Sequence, residues 1–170
     1  MLKSLILLKK GLEFLLERLL IGLVALLVLD VLWQVASRYL LRNPSSWTDE
    51  LATLLIIWVA MLGSSVAFIR NHHLGIDYFV GKWSTRNRLI SETVVQVLVG
   101  LFATLVLILG GLKLVTLTLL TEQVSPALGV KIGHVYLALP ISGLVILLVA
   151  IESAAEKIET LKQSGRKGKT

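Results

Sequence analysis

Four apolar runs in this chain are each long enough to cross a lipid bilayer. A hydrocarbon core of about 30 Å takes about 20 apolar residues as α-helix. Residues 19–41, 51–69, 93–112 and 132–151 meet that length. The first holds Asp30 and Arg38, and the other three hold no Asp, Glu, Lys or Arg. Lipid offers no water to the backbone, so such runs must satisfy their own N–H and C=O groups as helices. A β-barrel is excluded, because barrel strands alternate apolar and polar residues and these runs do not. Composition agrees: 55% of the 170 residues are hydrophobic and only 16% are charged, against roughly 25% in a soluble domain. There is no cysteine, which removes a disulfide framework, a thiolate metal site and a cysteine nucleophile. The expected fold is an all-α membrane protein of four transmembrane helices.

Residues 1–18 read differently. Leu5, Leu8, Leu12, Leu15, Leu16 and Leu19 recur at helical spacing, with Lys3, Lys9, Lys10, Glu13 and Glu17 opposite. This predicts an amphipathic helix in the interface plane. A cleaved signal peptide fits less well, since charges interrupt the apolar stretch and no small-residue cleavage site follows. Residues 152–170 form a basic tail. Lysines and arginines set orientation. Thirteen lie in the amino end, the 70–92 loop and the tail, against four (Arg38, Arg42, Lys113 and Lys131) on the other side. Both termini are therefore expected in the cytoplasm. Tyr39 and Trp47 then fall at the outer interface and Trp83 at the inner one, as aromatic belts prefer. The net charge of +6 reads as anchoring to anionic lipid rather than to nucleic acid.

A few polar residues need an account. Asp30 sits near the middle of the first span, where an aspartate costs about 2.5–3.5 kcal/mol on insertion scales. Gln34 and Arg38 follow at steps of four, which puts the three on one expected helix face. That face bonds to a neighbouring helix or, in a second reading, relays protons. Ser46 and Asp49 fit a capping box, and Asp49 and Glu50 suit the positive end of the second helix. An Arg38–Glu50 pair would clamp the first turn. Small residues four apart, Ala60/Ser64, Gly63/Ala67 and Ala138/Ser142, predict close helix packing, and Pro140 predicts a kink in the fourth span. His72 and His73 point about 100° apart on a helix, and His134 lies at the opposite membrane face, so no haem or metal cofactor is expected. No hydrolase, nucleotide-binding or metalloprotease motif is present, and an enzyme is not expected.

The stretch Trp33-Gln34-Val35-Ala36-Ser37-Arg38-Tyr39 is followed by Pro44-Ser45-Ser46-Trp47-Thr48-Asp49-Glu50-Leu51-Ala52. Trp58, Gly63, Arg70-Asn71-His72-His73-Leu74-Gly75-Ile76-Asp77, Ser125-Pro126-Ala127-Leu128, Tyr136 and Pro140-Ile141-Ser142-Gly143 come after in that order. Together they resemble the small membrane subunit (DctQ/SiaQ type) of tripartite ATP-independent periplasmic (TRAP) transporters, over most of residues 19–151. The resemblance implies a place in the bacterial inner membrane and two protein partners. One is a large, elevator-type membrane subunit that holds the substrate and sodium sites. The other is a periplasmic substrate-binding protein. The cargo would be an organic acid such as a C4-dicarboxylate or sialic acid.

On this reading Asp30, Gln34, Arg38, Glu50, Trp58 and Gly63 are expected contacts within the membrane complex. Arg42, Asn43, Ser45, Ser46 and Glu122 are expected at the surface that meets the binding protein. Arg70, Lys82, Trp83, Arg86 and Arg88 are expected to meet phospholipid headgroups. The alternative is a stand-alone proton-coupled exporter built around Asp30, which would work without partners.

Overall fold

A computed structural model of the chain describes residues 2–42, 45–70 and 85–167, with side chains for 11–42, 45–70, 90–158 and 160. Six α-helices are described: α1 Leu2–Tyr39, α2 Ser46–Ile69, α3 Thr85–Phe102, α4 Gly111–Leu120, α5 Ile132–Val135 and α6 Ala138–Lys167. A π-helical segment, Ala103–Gly110, joins α3 to α4 in one unbroken rod. Four stretches are long and apolar enough to cross a membrane: Gly11–Tyr39, Ser46–Ile69, Ile90–Leu120 and Ile132–Ile158. The amphipathic helix expected over residues 1–18 is not a separate element: Leu2–Tyr39 is one continuous helix that includes the first span. One end of the bundle, the hairpin end, carries the α1–α2 turn and the 121–131 loop. The other, the terminal end, carries the inner turns of α1 and α6.

α1 packs chiefly on α2. Its contact stripe is Leu16, Leu20, Leu23, Leu27, Asp30, Gln34 and Ser37, every one buried or half-buried. The steps are four, three, four, three, four and three. That is a seven-residue repeat, the spacing of a left-handed helix pair. The seam therefore advances from Gln34 to Ser37, not to Arg38. Arg38 lies eight residues beyond Asp30, which turns it about 80° off the stripe, and it is exposed. Asp30, Gln34 and Arg38 accordingly do not share one face.

The core gathers Leu16 of α1, Leu62, Val66, Phe68 and Ile69 of α2, Ala103 and Leu107 of the π segment, and Val145, Ile146, Val149 and Ala150 of α6. Small residues set its tightest contacts. A Cβ on Gly143 would stand 2.7 Å from the Leu107 Cβ and 3.3 Å from the Ala103 carbonyl, so glycine is what lets α6 lie against the π turn. Gly133 meets the Leu119 side chain equally closely. Ala138 and Ser142 are fully buried, whereas Ala60, Ser64 and Ala67 are exposed on α2.

The fourth span is broken rather than kinked. α5 ends at Val135 and α6 starts at Ala138. Pro140 therefore falls in the first turn of α6, where a missing N–H breaks no intrahelical bond. At the break, Leu137 N–H donates to the His134 carbonyl at 3.3 Å and Leu139 N–H to that of Tyr136 at 3.0 Å, between the helical bonds Tyr136 N–H to Ile132 and Ile141 N–H to Leu137, both 3.2 Å.

Candidate partner interface

Asp30 is 5% exposed within the α1–α2 seam. Neither carboxylate oxygen has a hydrogen-bond partner. One turn further on, the Gln34 amide donates to the Asp49 carboxylate. Beyond that, Ser37 donates to the Gln34 carbonyl at 3.0 Å and shares a 3.2 Å hydrogen bond with Ser45. Thr48, fully buried, donates to the Ser45 carbonyl at 2.8 Å. The seam is thus leucine toward the terminal end and hydrogen-bonded toward the hairpin end, with Asp30 at the junction.

Two expectations about the start of α2 change. Ser45, not Ser46, is the N-cap, and its side chain makes no capping bond. The expected Ser46–Asp49 capping box is absent: with Ser45 as N-cap the N3 residue is Thr48, and Asp49 instead accepts from Gln34. Nor does Glu50 pair with Arg38. Its carboxylate instead accepts from the Ser125 hydroxyl and from the Ala127 N–H at 2.9 Å. That loop has its own frame. Val124 bridges to Lys131, and Ser125 N–H donates to the Val130 carbonyl at 2.9 Å. Glu50 therefore fastens the second span to the 121–131 loop, 75 residues away in sequence. An open groove lies beside this contact, lined by Asp49, Glu50, Thr53, Leu54, Ser125, Pro126 and Ile132.

The other expected site residues divide by depth. Trp58 packs against the core, and Gly63 lies 3.9 Å from Leu20 across the α1–α2 contact, measured from where its Cβ would be. Both serve packing inside the chain. Arg42, Ser46 and Glu122 are exposed at the hairpin end, and Ser45 is half-buried there. Arg42 and Glu122 both have left-handed backbone, with φ of 52° and 49°. Arg70, expected on lipid headgroups, instead joins α2 to α1: it pairs with Glu17 and, at 3.4 Å, with Glu13. A second such link, Lys157–Glu92 at 3.1 Å, joins α6 to α3. Asn43, Lys82 and Trp83 lie outside the described residues, as do the side chains of Arg86 and Arg88. Among the described residues no group of three His, Asp or Glu is placed to hold a metal ion.

Sequence reasoning missed three members of these contacts. Ser37 is found by following the seven-residue spacing from Leu16. Ser125 belongs to a stretch that carries the family resemblance, but nothing local ties it to Glu50. Gln96, 2% exposed on α3 with an unpartnered Oε1, has no signal beyond being a polar residue in an apolar run.

Comparison with known proteins follows the same lines. Over 89 residues the chain is 35% identical to the sialic acid TRAP transporter small permease protein SiaQ of Vibrio cholerae, covering 51% of each chain. Over 136 residues it is 29% identical to a putative TRAP transporter small permease protein of Haemophilus influenzae, covering 80% of this chain and 83% of that one. It is 27% identical over 124 residues to the isethionate TRAP transporter permease protein DctMQ of Oleidesulfovibrio alaskensis, covering 72% of this chain and 19% of that protein. The matched part spans about half the length of SiaQ. These relatives and the four spans describe a multi-pass protein of the inner membrane. The family model for the DctQ component of tripartite ATP-independent periplasmic transporters matches residues 27–160, and the chain belongs to that family.

Proposed function

We propose that this chain is the small membrane subunit of a sodium-coupled TRAP transporter that imports an organic acid. Sialic acid is the first cargo to test, because SiaQ, the relative matched over 89 residues, is named for it. The chain braces a large membrane subunit and helps to dock a periplasmic binding protein. One observation carries this reading. The buried polar side chains among the described residues include Asp30 and Glu152 but no lysine or arginine. A carboxylate cargo held away from water needs a cation or several donors. Among the described residues the interior supplies no cation, and hydroxyls such as those of Ser65, Thr118 and Ser142 donate to carbonyls of their own helices, so the solute path is assigned to a partner. Gln34–Asp49 and Glu50–Ser125 tie its own segments together, while the buried groups without a partner, Asp30 and the Gln96 Oε1, are acceptors.

The test is reconstitution. Vesicles holding this chain, the large permease subunit and the binding protein should accumulate labelled sialic acid under an inward sodium gradient. Leaving out any one component should abolish uptake. Transport by this chain alone would overturn the reading and favour the Asp30 exporter. The exposed Arg42 and Glu122 are the docking residues in this proposal. Reversing both charges should raise the binding-protein concentration needed for half-maximal uptake.

A further inference from the structure

α1 carries two exposed arginines, Arg18 and Arg38. Arg38 follows Arg18 by twenty residues, about 30 Å along a helix axis, which is the thickness of a hydrocarbon core. Asp30 is the one charged residue between them. Arg38 stands next to the end of α1 at Tyr39, where the chain turns back at the hairpin end. Arg18 therefore stands at headgroup level on the other side, in the leaflet of the terminal end.

The surroundings of Arg18 call for an anion from outside the chain. Leu16 and Leu20 of the seam are each two residues away, so Arg18 points about 160° from the seam, away from α2. Glu13 and Glu17 are close in sequence, but both pair with Arg70. Among the described residues no carboxylate pairs with Arg18. Its guanidinium carbon lies 5.0 Å from the centre of the Phe14 ring, one turn back, and that ring is itself exposed. The side chain thus leans toward the helix N-terminus, as helical side chains do, and toward the headgroups rather than the bilayer centre. The ring braces the guanidinium on one side. The planar fork of N–H donors that remains matches the paired oxygens of a phosphate. Acyl chains offer no acceptor at all, so at this depth the acceptors of a bilayer belong to its headgroups. On the other side of Arg18, toward the bilayer centre, Ile21, Gly22 and Ala25 are exposed, and a Cβ on Gly22 would meet nothing within 4 Å.

We infer that Arg18, braced by Phe14, binds the phosphate of a phospholipid in the leaflet of the terminal end, with an acyl chain lying along Ile21, Gly22 and Ala25. The contact fixes the depth of α1 at an end where Arg70 is already taken by Glu13 and Glu17. It does not depend on which cargo is carried.

The whole chain in phosphatidylcholine vesicles, with a minority of phosphatidylglycerol photoreactive near the headgroup end of its acyl chain, tests the site. Illumination should place lipid adducts on residues 14–25. Arg18→Gln should lower their yield severalfold. Arg18→Lys should restore part of it, because an ammonium keeps the charge and loses the fork. Lys157→Gln removes an equal charge at the same end, but one already paired with Glu92, and should leave the yield unchanged. Undiminished labelling in Arg18→Gln would overturn the inference. An equal loss in Arg18→Gln and Lys157→Gln would do the same, because net charge alone would then recruit the lipid. Labelling should persist when the large membrane subunit is reconstituted alongside. Its disappearance there would give this side of α1 to the partner and overturn the lipid site, while supporting the small-subunit reading.

Discussion

Asp30 is the residue least explained by the chain's own packing. Leucines occupy the seam before it and hydrogen-bonded polar groups the seam after it, yet its own carboxyl oxygens meet no donor. Replacing an unpartnered buried polar group by an apolar one removes its desolvation cost. Asp30→Leu extends the leucine stripe by one position and should stabilise the purified chain in detergent by about 1–3 kcal/mol. A lower thermal midpoint would instead mean that Asp30 has a donor. Glu122 is a second local case. Its N–H donates to Leu119 and that of Gln123 donates to Thr118, at 3.2 and 3.3 Å. This is a helix C-terminal motif that favours glycine at the left-handed residue. Glu122→Gly should stabilise the chain by up to about 1 kcal/mol, the left-handed cost less the added chain entropy, read as a higher thermal midpoint. Glu122→Ala should give no such gain.

At the scale of elements, the α1–α2 pair and the Glu50 clasp make separable statements. A double-mutant cycle on Gln34→Ala and Asp49→Ala should give a coupling of about 0.6 kcal/mol, and no more than about 1.7, as interhelical hydrogen bonds in membranes do. A zero coupling would remove this bond as a reason for the α1 register. Glu50→Ala frees the Ala127 N–H, so hydrogen exchange at residues 125–131 should accelerate while the α6 core amides keep their rate. Unchanged exchange in the loop would show that its own turns suffice. The spans themselves were legible in the sequence, because bilayer thickness acts on length and apolarity alone. Their details were not. Proline at 140 looked like an interior kink because hydropathy runs unbroken through 132–151, whereas the helix break lies just ahead of it. The π segment has no signature inside the apolar run ATLVLILG. Arg38 was misplaced because steps of four drift off a seam that repeats every seven residues. The partners of Glu50 and Arg70 lie 75 and more than 50 residues away, beyond any local pattern.

For the whole molecule, the excess of lysine and arginine at the terminal end makes orientation testable. The chain has no cysteine, so single cysteines introduced at Gln123 and Ser164 form a clean pair. In intact cells a membrane-impermeant maleimide should label position 123 and spare 164. The reverse pattern would invert the chain and remove Arg42 and Glu122 from the docking surface.

The reliance of α1 chiefly on α2 has a consequence for how such a protein is made. A first helix with one principal neighbour among the described residues can leave the ribosome and settle with the second as a finished hairpin. The later pair, tied by its glycine contacts, then assembles beside it. Damage to that one seam would set loose a quarter of the spans while leaving the other three folded, so the amino-terminal helix is where failure of the chain should begin.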